Sequence, residues 1–358
     1  MVAGIAPARD SVAVTRLGSL SGRSFTVDAW HGVTAGANAE LHAFPTPDGV
    51  VVVFRGRRDG TPVLEAVVVT EAGAVSKPVG AGAAACATDD AMSWIRRGDD
   101  GASTVFYAPL SLTRVSELLA VPAERDPMLV CGARTIYALG DGERDTTVSL
   151  VPSDAPRSVV AMRERDFKDE EREHDTFVVK DTLGLVRIGQ SGSVALREIA
   201  GESVGAWHRF AANLTEADDV VAVDGAEDAS LVVFTRDEPG ACDGPGSPSV
   251  HALILTASTS TERVVDLQAA ECRTELGPFW TGAVAGSFVV GWVERVVASG
   301  SGRPRVAGLS YRMLGSTGPS EPHRFERSGE EMVDAGCDKD RCYTVLLSDG
   351  KLESFAYP

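Results

Sequence analysis

Apolar residues in this chain come in short bursts, each arriving directly behind a small polar turn. Seven bursts stand out: "VVVVF" at 50 to 54, "AMSWI" at 91 to 95, "RTIYAL" at 134 to 139, "LGLVRI" at 183 to 188, "SLVVF" at 230 to 234, "SFVVGWV" at 287 to 293 and "CYTVLL" at 342 to 347. Stripes at i, i+3, i+4 and i+7 sustained over about 12 residues are hard to find, so helices are not expected. Bursts rich in Val, Ile and aromatics and bounded by Gly, Asp and Pro predict β-strands. Each is preceded by a short strand and turn, as in "HAFPTPDG", "AACATDD", "FVVKDT" and "VVAVDGAEDA", and followed by further apolar runs, as in "TPVLEAVVV" then "AVSKPV". The repeating unit is therefore strand, hairpin, strand, hairpin, strand, strand.

The starts of the bursts are spaced by roughly 41 to 57 residues, the length of one four-stranded blade with loops of varying size. Over essentially its whole length the chain resembles β-propeller proteins. That resemblance implies an all-β fold, a seven-bladed β-propeller of four-stranded antiparallel blades in a single domain spanning 1–358. The blades are expected at 38–80, 81–122, 127–162, 175–200, 217–268, 278–326 and 330–358. The last unit offers only three strands before "KLESFAYP" ends the chain. An N-terminal strand, "SVAVTRL" at 11–17 or alternatively "SFTVDAW" at 24–30, is expected to complete that blade as its outer strand and so cover an exposed edge. WD dipeptides, Kelch glycine pairs and SxDxGxTW boxes are absent, so no particular propeller family is named. The competing architecture is a pair of β-sandwiches split near residue 165. There "RERDFKDEEREHD" packs 11 charged residues into 13 and reads as a solvated loop or short exposed helix.

Composition narrows partners and compartment. The formal net charge of -17 argues against nucleic acid, whose non-specific binding needs clustered Lys and Arg. No stretch of about 18 apolar residues exists to span a membrane. "MVAGIAPARDSVAV" lacks the basic start and apolar core of a signal peptide. The six cysteines nevertheless favour an oxidising compartment, so the expectation is a secreted, periplasmic or cell-surface protein whose leader is absent from this sequence. A bias to Ala, Gly, Val, Arg and Asp fits GC-rich bacterial coding.

Placed on the repeat, Cys86 and Cys131 sit at the ends of the first strands of neighbouring units, where a bridge would staple two blades. Cys242 with Cys272 would tie down a Gly- and Pro-rich insertion, and Cys337 with Cys342 would close a hairpin turn. Six cysteines allow 15 pairings, so free thiols and other connectivities remain alternatives. The CxxxxC spacing is wrong for zinc, with no nearby His to complete a set, and no metal or cofactor is expected.

For a site, "DAWHGVTAGANAELHAF" at 28 to 44 echoes "GAWHRFAANLTEADDVVAV" at 205 to 223. Both place Ala-Trp-His shortly before the first strand of a unit, where connections help build the axial face on which propeller ligands gather. Trp30, His31, Trp207, His208 and Arg209 are therefore the candidate ligand-binding residues. The alternative is that the Trp rings pack between blades while the imidazoles satisfy backbone carbonyls. Acid pairs at Asp89 and Asp90, Asp99 and Asp100, Asp218 and Asp219, and Asp338 and Asp340 read as solvated turn residues, without a DxDxDG calcium loop. No GxSxG elbow or HExxH motif is present. The reading is an extracytoplasmic binding or protein-interaction module for a protein or carbohydrate ligand. The alternative is a polysaccharide- or glycan-directed hydrolase or lyase, with His31, His208 and Arg209 converging on the axial face.

Overall fold

A computed structural model describes residues 13–17, 20–26, 40–70, 73–82, 84–98, 103–111, 115–121, 128–141, 145–151, 157–167, 170–212, 214–216, 218–237, 248–272, 274–284, 286–296, 305–315, 318–329, 332–337, 341–348 and 351–357. Their strands assemble into seven antiparallel sheets. Six of these use consecutive strands. The first contains Glu40–Thr46, Gly49–Arg58, Thr61–Thr70 and Gly73–Gly80. The second contains Ala84–Ala87, Ala91–Arg97, Ser103–Pro109 and Ser116–Val121. The third contains Met128–Cys131, Ile136–Asp141, Asp145–Val151 and Arg157–Arg163. The fourth contains Glu171–Val179, Thr182–Gly189 and Val194–Ala200, edged by the short Ser203–Val204 and His208–Phe210. The fifth contains Asp218–Gly225, Ser230–Arg236, Ser249–Thr256 and Thr261–Gln268. The sixth contains Thr274–Val284, Ser287–Val296 and Arg305–Gly315, edged by Gly318–Pro319 and His323–Gly329.

The closing sheet joins the two ends of the chain. Met332–Cys337, Cys342–Ser348 and Lys351–Tyr357 are followed in the sheet by Leu20–Thr26 and then Ala13–Leu17. Closure by an N-terminal strand therefore occurs, but the strand paired with Lys351–Tyr357 is Leu20–Thr26, starting with Gly22 opposite Phe355. The segment expected in that role, 11–17, contributes Ala13–Leu17 one position further out. The first strand of each sheet touches that of the next, and the closing sheet's touches the first sheet's, so the sheets surround a common axis. This circuit replaces the two-sandwich alternative.

Burial explains why the bursts are continuous rather than alternating. On strand Gly49–Arg58, Val50, Val52 and Phe54 pack against the closing sheet, while Val51 and Val53 pack against the second sheet. On strand Ser287–Val296, Phe288, Val290 and Trp292 meet the fifth sheet, and Val289 and Val293 meet the closing sheet. A strand buried on both faces needs apolar side chains at every position, and each contributes roughly 1.5–3 kcal/mol. All seven bursts fall on the second strands of their sheets.

The charged run near 165 is neither loop nor exposed helix throughout. Among the described residues it holds one 3-10 turn, Glu164–Asp166, and from Glu171 it is already the first strand of the fourth sheet. Its charges are matched within the run and by other segments: Glu171 lies 2.8 Å from His174 Nδ1 and 3.4 Å from buried Arg187, and Arg172 donates to the carbonyls of Thr215 and Asp218 at 3.0 Å each.

Two cysteine pairs are joined. Cys86 and Cys131 link the second and third sheets, with Cα atoms 5.6 Å apart. Cys337 and Cys342 lie opposite each other across their hairpin, with Cα atoms 3.9 Å apart. Cys272 is disulfide-bonded, and Cys242 lies outside the described residues.

Candidate functional site

The hairpins that leave the first strand of every sheet point to the same end of the axis. They enclose a cavity of about 900 Å³, to which all seven sheets contribute. Its walls are mostly small or apolar, including Pro45, Ala87, Gly132, Ala133, Val179, Ala226 and Ala283. Its charge is uneven: Asp224, Glu227 and Asp228 stand together on the fifth sheet, with Asp89, Lys180 and Arg341 elsewhere on the rim.

Hydrogen bonds belt part of the rim together. Asp89 N–H donates to Ala133 O at 3.0 Å, and Ala133 N–H donates to Lys180 O at 2.7 Å. The Asp181 carboxylate accepts from the N–H groups of Arg134 and Thr135 at 2.7 and 2.8 Å, fixing the third sheet's turn to the fourth. Gly132 permits this approach, because a Cβ there would lie 2.2 Å from Lys180 O. Lys180 and Glu227 form an exposed ion pair joining the fourth and fifth sheets. A preorganised rim of this kind lets a ligand bind without first ordering the loops.

Three first-strand carboxyls are displaced upward by burial: Asp175, Asp224 and Asp334. Burial pushes Asp224 up to about 6, against the lowering effect of hydrogen bonds from Gly225 N–H and from Thr281. Burial also pushes Asp334 up to about 6, opposed by His42 and by the N–H groups of Ala43 and Ala335. Ala43 N–H reaches Asp334 Oδ2 at 2.7 Å across the junction of the closing and first sheets. A carboxyl whose folded pKa exceeds its unfolded value contributes stability that is complete below about pH 4 and is lost as pH rises through 6. The effect is at most about 3 kcal/mol for Asp224, and less for Asp334, whose side chain is 27% exposed. Asp224→Asn and Asp334→Asn keep an oxygen for the same N–H donors. Each variant is expected to raise Tm at pH 8 and to flatten the melting profile between pH 4 and 7. Profiles parallel to wild type would refute the assignment.

The candidates drawn from the Ala-Trp-His echo are dispersed. Trp30 and His31 lie outside the described residues. Trp207, His208 and Arg209 are at the outer side of the fourth sheet, where His208 and Arg209 pair with Leu196 and Ala195, and none of the three lines the axial cavity. Trp207 stands edge-on to Phe167 at 4.9 Å and under the Arg197 guanidinium at 4.4 Å. Phe167 in turn lies below Arg187 at 3.8 Å and Arg209 at 5.2 Å, an alternation of rings and guanidinium groups at the third–fourth junction. His208 instead lines a separate cleft of about 440 Å³ between the fourth and fifth sheets.

Of the acid pairs, Asp219 and Asp89 are exposed, but Asp218 is not. Burial would raise its carboxyl, yet Arg236, bonded at 2.6 and 2.9 Å, and Thr215 N–H at 2.7 Å hold it below its ordinary value. Among the described residues no group of three or more His, Cys, Asp or Glu could hold a metal ion. The sequence reading missed the axial residues, although the turns "FVVKDT" and "VVAVDGAEDA" carry them and the repeat places those turns at one end of the ring.

A ring of four-stranded antiparallel blades about an axis is a β-propeller. Solved structures agree at the level of fold. The β-propeller domain of the Trilobed protease from Pyrococcus furiosus is similar with a TM-score of 0.55 at 9% identity, covering 90% of this chain and 94% of that one. An oligogalacturonate lyase in complex with manganese gives 0.56 at 13% identity, covering 98% and 96%. The N-terminal domain of Nup159 gives 0.51 at 10% identity, covering 99% and 97%. The sequence matches no family model, and no curated protein matches it.

Proposed function

We propose that this protein is an extracytoplasmic binding module, a propeller of seven blades that engages a protein partner at its axial cavity. The carrying observation is the convergence of hairpins from every sheet on one cavity of about 900 Å³ with a hydrogen-bonded rim. Its described lining contains no Trp or Tyr, which favours a peptide over a sugar ring that would stack on such side chains. A protein partner is also in keeping with a solved assembly in which Dbp5 of S. cerevisiae is bound to Nup159. The disulfides and the lack, among the described residues, of a helix able to cross a membrane are compatible with export.

The test is capture from the host's exported proteins on immobilised wild type and on two folded variants. Ala283→Arg fills the cavity, whereas Val264→Arg changes an exposed position on an outer strand of the fifth sheet. Loss of a captured partner with Ala283→Arg alone supports axial binding. Retention by Ala283→Arg, or turnover of a polysaccharide by the wild type, refutes it.

A further inference from the structure

The axial cavity does not end at the axis. The cleft between the fourth and fifth sheets shares Val179, Lys180, Ala226, Glu227, Asp228 and Ala229 with it, so the two spaces adjoin at the same end of the ring. The outer part has an apolar floor of Phe177 and Leu196 and polar walls that include Glu198 and His208. We propose that cavity and cleft form one tract that holds an extended, basic peptide segment running from the axis towards the rim. This rests on the axial-binding reading and names the chemistry of its ligand.

Shape and charge both select that occupant. A tract that runs radially between two sheets accepts an elongated chain better than a compact ligand, and alternate side chains of an extended peptide point to opposite sides. One set would rest on Phe177 and Leu196, and the other would face the carboxylates. Asp224, Glu227, Asp228 and Glu198 line the tract with Lys180, and Lys180 is already bonded to Glu227. Arg341 stands on the closing sheet, across the axis from the cleft. The Lys180–Glu227 pair lies on the shared stretch, with side chains 74% and 69% exposed. Exposed pairs of this kind hold weakly, so a lysine or arginine of the ligand can take the place of Lys180 on Glu227. Complementary charge of this sort governs partner choice and the rate of encounter more than raw affinity.

The probe is a fluorescein-labelled ten-residue peptide of alternating arginine and leucine, titrated by anisotropy at 150 mM salt. A glutamate-leucine peptide and a glycine-serine peptide serve as controls. The expected result is saturable binding of the basic peptide alone, weakened at least tenfold by Asp228→Lys and by Glu198→Lys. Asp219→Lys reverses an exposed acid at the far end of the fifth sheet's first strand and is expected to leave binding unchanged. Hydrogen exchange on the wild type is expected to show peptide-dependent protection within 177–184 and 226–230, which needs no variant to fold. Equal weakening by Asp219→Lys would reduce the effect to the overall charge and overturn the proposal. No binding of the basic peptide, or protection elsewhere, would overturn it too. If Ala283→Arg still abolishes partner capture in that case, axial binding stands and only the ligand assignment falls.

Discussion

Replacing Trp292 with alanine is expected to lower the free energy of unfolding by about 3–5 kcal/mol, the range for removing a large aromatic from a packed core. Trp292 is fully buried in the layer between the fifth and sixth sheets, against Val233, Val250 and Leu267 on one side and Phe288 and Leu314 on its own. Neighbouring sheets meet through such layers, so the cavity opens at a junction on which the ring depends. The surrounding β-branched residues sit on paired strands and have little freedom to collapse into the space. Trp292→Phe separates packing from polarity. The indole N–H is buried with no hydrogen-bond partner among the described residues, so phenylalanine gives up ring volume but also removes an unsatisfied donor. Its cost is expected to be less than half that of alanine in denaturant unfolding. A loss below about 1 kcal/mol for Trp292→Ala would mean that this layer is not a core.

Removing the Cys86–Cys131 bridge by double serine substitution is expected to cost about 4 kcal/mol on chain-entropy grounds, for a sequence separation of 45. The same treatment of Cys337 and Cys342, separated by 5, is expected to cost about 2 kcal/mol. The bridges also differ in what they join. Cys86 is buried among Ile95, Val105, Leu129 and Ile136 and ties two sheets, whereas Cys337 and Cys342 tie strands already paired in register. Urea midpoints of the two double variants check the order. A reversed order would show that the short bridge at the closing sheet, rather than the link between sheets, governs resistance to unfolding.

The second strand of each blade was legible because burial on both faces asks for unbroken apolar runs such as "VVVVF" and "SFVVGWV". First strands are shorter or more charged, yet one was expected ahead of every burst, as in "AACATDD" and "FVVKDT". Ala84–Ala87 and Met128–Cys131 have four residues each, and Glu171–Val179 begins in a charged run whose partners come from other segments, such as the carbonyls of Thr215 and Asp218. Leu20–Thr26 was obscured by its sequence, "LSGRSFT", which shows no apolar run. Its place is fixed by the partner Lys351–Tyr357 rather than by its own pattern. The site was less legible still. An axial cavity made by hairpins from seven sheets is lined mostly by small and apolar residues, and its few charged ones come from turns far apart in the sequence. Trp207 belongs to the Ala-Trp-His echo and Arg209 follows it, yet Trp207 is engaged with Phe167 and Arg197, and Arg209 with Phe167.

The closing sheet also sets a timetable for the newborn chain. Strand Leu20–Thr26 is made long before its partner Lys351–Tyr357. During synthesis the early segment has no edge to join, and the faces of the first and sixth sheets that pack on the closing sheet stay open to water. Synthesis of Lys351–Tyr357 then completes both junctions together.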